Sequence, residues 1–274
     1  NGIQLDIQFK GGSILKYTYE GTIDAEQAGQ LVEEKIGLPA YCLLQSNMAK
    51  DEQTLTVSLA GNEALTSEQQ EEVTALLNEA YPDAKLTLSE SLTVEPFIGK
   101  RFFRNGLLAI GLSFALILVC VGIRFKNIGG LSAGAMAIVA LLHDALIVTG
   151  AFIIFKIPLN DNFIAAILTI IGFSINDTIV IYDRIRENER LLGKKVPIEE
   201  LVDISINQSM SRSINTNIAV FISITIVYIF AQIYDIASIR AFALPMMFGV
   251  VSGCYSTICI AGPLWTMWQK RKTA

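Results

Sequence analysis

The sequence predicts a polytopic α-helical membrane protein that carries a separate α+β domain ahead of its helices. Three observations lead to this reading. Mean hydropathy is +0.47, and only 17% of the 274 residues are charged, whereas soluble domains sit near a quarter. The average conceals two regimes: the chain is polar and acidic up to about Pro96, then runs in long apolar stretches from Asn105 onward. Five of those stretches are long enough to cross a bilayer, which takes about 20 apolar residues per helix.

The first region, 1–96, reads as a compact domain. Ile3, Leu5, Ile7 and Phe9 alternate with Gln4, Asp6, Gln8 and Lys10, the pattern of a half-buried strand. Gly11-Gly12 suits a tight turn, and Ser13 to Tyr19 forms the returning strand. Thr22, Asp24 and Glu26 mark a helix start, with Ala28, Leu31, Val32 and Ile36 on one face and Gly37 and Pro39 ending it. Tyr41 to Leu44 and Leu55 to Leu59 read as strands, Ser67 to Tyr81 as a second helix stopped by Pro82, and Leu86, Leu88 and Leu92 as a last strand. A hairpin followed by α-β-β-α-β closes as an antiparallel sheet with helices on one face, a ferredoxin-like arrangement. The domain holds no histidine and no convergent nucleophile and base. A binding or structural module is therefore expected there, not an enzyme.

The net charge of −5 originates in this region, through Glu33, Glu34, Asp51, Glu52, Glu68, Glu71 and Glu72 among others. That sign argues against a nucleic-acid partner, because phosphate binding needs a basic face. The four cysteines, Cys42, Cys120, Cys254 and Cys259, show neither a disulfide framework nor zinc-ligand spacing.

After a linker at 97–105, the helical bundle occupies 106–269, with crossings expected at about 106–123, 128–155, 163–182, 213–234 and 241–269. The second is interrupted only by His143-Asp144 and the third only by Asp177. Orientation follows from lysine and arginine placement. Arg124, Lys126, Arg184, Arg186, Arg190, Lys194, Lys195, Lys270, Arg271 and Lys272 fall on one side, against Lys156 and Arg240 in the short loops of the other. The first side is expected to be cytoplasmic, with 183–212 as a cytoplasmic segment and 270–274 as a cytoplasmic tail. Residues 1–96 are then extracytoplasmic. Asn1 to Phe9 lacks the layout of a cleavable signal peptide, so a further transmembrane helix before Asn1, or a longer fused chain, is expected.

A charge at the bilayer centre costs roughly 2.5–3.5 kcal/mol on insertion scales. Asp177 lies six residues before Asp183, roughly 9 Å below the inner boundary at about 1.5 Å per residue. The next crossing returns near Ser211-Arg212-Ser213, which can bring the Arg212 guanidinium to similar depth. Desolvation and a nearby arginine act oppositely on a carboxyl. Movement of Arg212 would therefore switch Asp177 between holding and releasing a proton. A static ion pair pinning two helices is the alternative. Ser174, Asn176, Thr178, Asn207, Gln208, Ser209, Ser211, Asn215, Thr216 and Asn217 cluster nearby, enough polar capacity for hydrated passage. The expected site is thus a proton relay of Asp177 and Arg212, with Asn176, Thr178, Asp144, Ser174 and Ser211 in the polar pathway. His143, the single histidine, is expected to pack or hydrogen-bond between helices, since adjacent helix positions diverge by about 100°. Asp183 to Asn188 is expected to be a solvated helix end, and Pro197 to Val202 to open an amphipathic helix. Gly249 and Gly253 share a face suited to close packing, and no metal or organic cofactor is expected.

Gly172 to Asn188, reading GFSINDTIVIYDRIREN, together with Asn207 to Ile214, His143-Asp144 and Phe9-Lys10-Gly11-Gly12, resembles the SecD/SecF family of bacterial protein-export membrane proteins. The resemblance runs over nearly the whole chain. It implies the SecF role, working with SecD, separate or fused, beside the SecYEG channel in the cytoplasmic (inner) membrane. It also implies a fold similar to resistance–nodulation–division transporters, and proton or sodium flow that drives the external domains to pull exported, unfolded polypeptide outward. The family's essential aspartate falls on Asp177 and its partner arginine on Arg212. The chain departs from the family at Gln8, where aspartate is usual, and at Phe173, where a tyrosine is usual. The family's first helix would precede Asn1. Two other readings stand beside this one: an ion-driven exporter of small molecules or lipids with the same fold, and a non-conducting scaffold of the translocon.

Overall fold

The structure, a computed structural model, describes residues 12–47, 52–60, 65–94, 96–193, 196–234 and 236–273. The strand expected over 3–9 and the first part of the Gly11-Gly12 motif lie outside the described residues. The chain divides into two compact units.

Among the described residues the first unit is built on a four-stranded antiparallel sheet. Its elements run β1 (Gly12–Tyr19), α1 (Ala25–Ile36), β2 (Ala40–Asn47), β3 (Glu52–Ala60), α2 (Ser67–Ala80) and β4 (Thr87–Val94), with spatial strand order β2-β3-β1-β4. Alternation in β1 sends Leu15, Tyr17 and Tyr19 inward beside Leu55, Val57 and Leu59 of β3. Ala28 and Val32 of α1 and Val73 and Leu77 of α2 complete this core. Both helices begin on the capping residues their sequences carry. The Asp24 carboxylate accepts from the Glu26 and Gln27 amides at 2.9 and 3.2 Å, and Thr66 and Gln69 form a reciprocal capping box. Gly37 ends α1 in the left-handed conformation, φ 73°. In β4 a bulge between the pairs Lys16–Glu90 and Tyr17–Leu88 leaves Ser89 extra. The Ser89 hydroxyl donates to the Lys16 carbonyl at 2.9 Å. Leu88 and Leu92 consequently fall on opposite faces, and both are exposed on this edge strand.

Among the described residues five helices are long and apolar enough to cross a membrane. They are α3 (Pro96–Arg124), α4 (Gly130–Ile154), α5 (Asp161–Leu192), α6 (Ile198–Ile233), and a last helix, α7 (Ala237–Ser256), that passes through a π-turn at Thr257–Ala261 into α8 (Gly262–Thr273). Residues 97–105, expected as a linker, are the start of α3. Their charges stop an apolar run but do not stop helical hydrogen bonding, and Pro96 is well suited to a first turn. For the same reason α5 and α6 extend through most of 183–212, and α8 runs on to Thr273.

The second unit holds most of each long helix. Ala133, Ala137 and Ala140 give α4 a fully buried, small-residue face, which allows close helix approach. Gly249 lets α7 meet Ile170 of α5 and Val148 of α4. Near the basic helix ends, Tyr182 is buried between Phe125 and Trp265, and its hydroxyl donates to the Ala133 carbonyl at 3.0 Å. By contrast α3 and α6 are only 6% and 11% buried over their most apolar windows, against 39–56% for the other three.

Candidate functional site

On α5, Ser174, Asp177 and Thr178 stand at i, i+3 and i+4, so one helix face carries all three. All three are buried. On α6, a four-residue spacing turns Ser209, Ser213 and Asn217 inward and leaves Asn207, Ser211, Arg212, Asn215 and Thr216 exposed. The polar cluster expected around Asp177 is thus split by helical phase.

Asp177 faces the inward side. The Asn217 amide donates to Asp177 Oδ2 at 2.5 Å and to the Ser213 carbonyl at 2.8 Å. Among the described residues the Ser213 hydroxyl lies beside the carboxyl without closing a hydrogen bond, and Asn217 Oδ1 is likewise buried without a partner. These two atoms are spare hydrogen-bonding capacity next to a carboxyl that is 4% exposed. Buried polar atoms without a protein partner are uncommon, and each calls for an explanation such as a functional role or a bound water or ion. Arg212 is exposed, and among the described residues no ion pair joins it to Asp177. Asn176 and Ser211 are exposed and stand apart from this contact.

Asp144 of α4 is fully buried and is the centre of a second constellation. Ser252 donates to its Oδ1 at 2.6 Å, and Ser174 and Ser256 donate to its Oδ2 at 2.7 Å each. His143 Nδ1 lies 3.2 Å from Asp144 Oδ1 and 3.4 Å from the Ser252 hydroxyl, so the ring bridges α4 and α7 as a hydrogen-bonding partner. Thr178 continues the polar line, its hydroxyl 3.2 Å from that of Thr257 at the start of the π-turn. Ser252, Ser256 and Thr257 were not among the expected site residues. Their signal in the sequence is a serine pair at i, i+4 one position from the Gly249/Gly253 face, which reads first as packing.

The stretch Asp183 to Asn188, expected to be solvated, is knitted into its neighbours. Asn188, 3% exposed, donates to Ser205 at 2.8 Å and Gln208 at 2.9 Å on α6. Arg184 donates to the same Gln208 oxygen at 2.7 Å. Asp183 pairs with Arg124 of α3 at 3.3 Å and with Arg186 at 2.7 Å.

The family profile described as protein export membrane protein SecD/SecF, C-terminal, matches residues 72–271. The chain is 37% identical over 273 residues to the protein translocase subunit SecF of Alicyclobacillus acidocaldarius, covering 98% of this chain and 84% of that relative. It is 33% identical to the protein translocase subunit SecDF of Thermus thermophilus over its whole length, which spans 35% of that longer protein. The crystal structure of SecDF from the same organism, described as a translocon-associated membrane protein, superposes with a TM-score of 0.78 at 33% identity, covering 98% of this chain and 35% of that one. With five spans and these relatives, this is a multi-pass membrane protein. The chain belongs to the SecD/SecF family of protein-export membrane proteins.

Proposed function

We propose that the chain is the SecF-type auxiliary subunit of the Sec translocase, coupling ion flow through Asp177 to late steps of polypeptide export. The observation that carries this reading is a carboxyl buried between two membrane-spanning helices, held by a single side-chain amide, with unpaired polar atoms beside it. A group so placed can bind and release a proton, or hold sodium, with little rearrangement. Membrane potential supplies about 2.3 kcal/mol per charge per 100 mV, and Arg212, on the helix whose Asn217 holds Asp177, is the cation assigned to bias the carboxyl. No covalent chemistry is assigned to the chain.

SecD is the expected partner, and relatives in which the two are one polypeptide, named SecDF, support it. So does the outward polar stripe of α6, because Arg212, Asn215 and Thr216 facing lipid would be costly. SecYEG and the unfolded exported chain complete the assembly in the cytoplasmic membrane. The basic helix ends are assigned to the cytoplasmic side and the sheet domain to the extracytoplasmic side. Its βαββαβ order with strands arranged β4-β1-β3-β2 supports the ferredoxin-like reading.

The test is Asp177→Asn in membrane vesicles carrying the assembled translocase, with export followed after ATP-driven insertion under an imposed proton or sodium gradient. Loss of the gradient-stimulated phase with assembly intact is expected. A scaffold would keep that phase, and export as vigorous as the parent's would refute the coupling role. A small-molecule exporter would instead show drug or lipid sensitivity on deletion, with normal secretion.

A further inference from the structure

We propose that Asp144, Ser174, Ser252 and Ser256 form a binding site for one small alkali cation, of sodium size, separate from Asp177. The argument begins with charge. An ionised carboxylate removed from water needs a compensating positive charge or must take up a proton. Asp144 is fully buried in a membrane-spanning helix. Its three close partners are neutral hydroxyls at 2.6–2.7 Å. Among the described residues its only charge-capable hydrogen-bonding partner is the partly exposed His143 ring at 3.2 Å. The carboxyl is thus surrounded by oxygen and short of a cation.

The donor set identifies what would fit. Carboxylate and hydroxyl oxygens are hard ligands that suit alkali and alkaline-earth ions, and there is no thiolate to favour soft metals. A single carboxylate balances a single positive charge, which favours a monovalent ion over calcium or magnesium. Each serine hydroxyl carries two lone pairs beside its proton. Rotation about the C–O bond therefore lets a hydroxyl turn its proton away from the carboxylate and offer a lone pair to a cation.

The cage is also tight. At Gly253 a Cβ would lie 3.3 Å from the Ser174 Cβ and 3.8 Å from Asp144 Oδ2, so α7 packs closely on α4 and α5 here. Close packing favours sodium or lithium over potassium. The three helices supply the oxygens from both sides of the carboxyl, and the π-turn begins one residue after Ser256. π-turns in transmembrane helices often sit at functional sites. A cation at this point would bind α4, α5 and α7 together whether or not Asp177 carries the coupling ion.

Equilibrium binding of radioactive sodium to the purified full-length assembly tests the site, at about pH 8 where an ordinary imidazole is neutral, with choline as the background cation. Saturable binding of one ion per chain is expected in Asp177→Asn, displaced by lithium more effectively than by potassium. Adding Asp144→Asn to that variant should abolish it, and adding Ser256→Ala should weaken it by about tenfold or more. Asp177→Asn thus keeps this sodium site while losing gradient-driven export, which separates the site from the coupling role. If the variant with Asp144→Asn added does not assemble, the one with Ser256→Ala added decides. Absence of saturable binding in Asp177→Asn, or undiminished binding after adding Asp144→Asn or Ser256→Ala, would each overturn the proposal.

Discussion

Gly249→Ala puts one methyl group where three helices meet, and the structure sets the size of its effect. A Cβ there would lie 2.5 and 2.6 Å from the Ile170 side chain and 2.8 Å from Val148 Cγ2. This is roughly 1 Å short of ordinary carbon–carbon contact. Neither neighbour can yield easily: Ile170 and Val148 are both fully buried and β-branched, with stiff χ1 angles. The helix α7 must move instead. Overpacking of this kind costs about 1–3 kcal/mol, which corresponds to a Tm lower by roughly 2–12 °C for a chain of this size. A displacement of about 1 Å would also stretch the 2.6 Å bond from Ser252 to Asp144 beyond hydrogen-bonding range. Gly253→Ala is the internal comparison, since its Cβ meets Ser174 at 3.3 Å and needs only a few tenths of an ångström. Thermal unfolding of the purified protein, read by thiol-reactive dye, measures both. Gly249→Ala should lose several degrees and Gly253→Ala much less. A Gly249→Ala protein that melts with the parent, or melts above Gly253→Ala, would refute the packing argument.

Three further outcomes are expected. Burial pushes the Cys42 thiol from its ordinary 9.0 up to about 12. Below the ordinary value both folded and unfolded chains hold the proton, and above it only the folded one does. The stability contributed by Cys42 is therefore complete below about pH 9 and is lost as pH rises toward 12. Iodoacetamide labelling at about pH 9, located by mass spectrometry, should spare Cys42 in the folded chain and modify it fully in denaturant; equal rates would contradict the burial. Thr66→Ala removes one arm of the α2 capping box, worth about 1 kcal/mol, and hydrogen exchange in the first turn of α2 should accelerate about fivefold. Tyr182→Phe deletes the hydrogen bond to the Ala133 carbonyl while keeping the edge contact with Phe125. A cost of about 1 kcal/mol should lower Tm by about 2–4 °C.

Local signals in the sequence carry most of the secondary structure. Asp24, Thr66 and Gln69 announce their helices because a cap is a property of neighbouring residues. The inward set of β1 follows from strict alternation. The β4 bulge was hidden, because Leu86, Leu88 and Leu92 keep an even spacing that a single extra residue silently breaks. Helix ends are not legible where charge interrupts an apolar run, as at 97–105 and 183–212, since composition reports solvent and not hydrogen bonding. In the candidate site, Asp177 and Asp144 stand out by their surroundings in the sequence, but their partners do not. Asn217 and Ser252 lie 40 and 108 residues away from the carboxylates they serve. Which face of α6 or α7 they occupy depends on helix rotation within the bundle, a tertiary quantity. Arg212 illustrates this point: one position from buried Ser213, it emerges on the exposed side.

The outward stripe of α6 has a consequence for how much of this protein a cell keeps. Ser211, Arg212, Asn215 and Thr216 lie exposed on a helix that the chain itself scarcely covers. A newly inserted copy with no neighbour would present that stripe to hydrocarbon, where unsatisfied polar groups weaken residence in the bilayer. How much of this protein stays inserted therefore depends on whatever covers α6, whether another part of a longer chain or a second polypeptide.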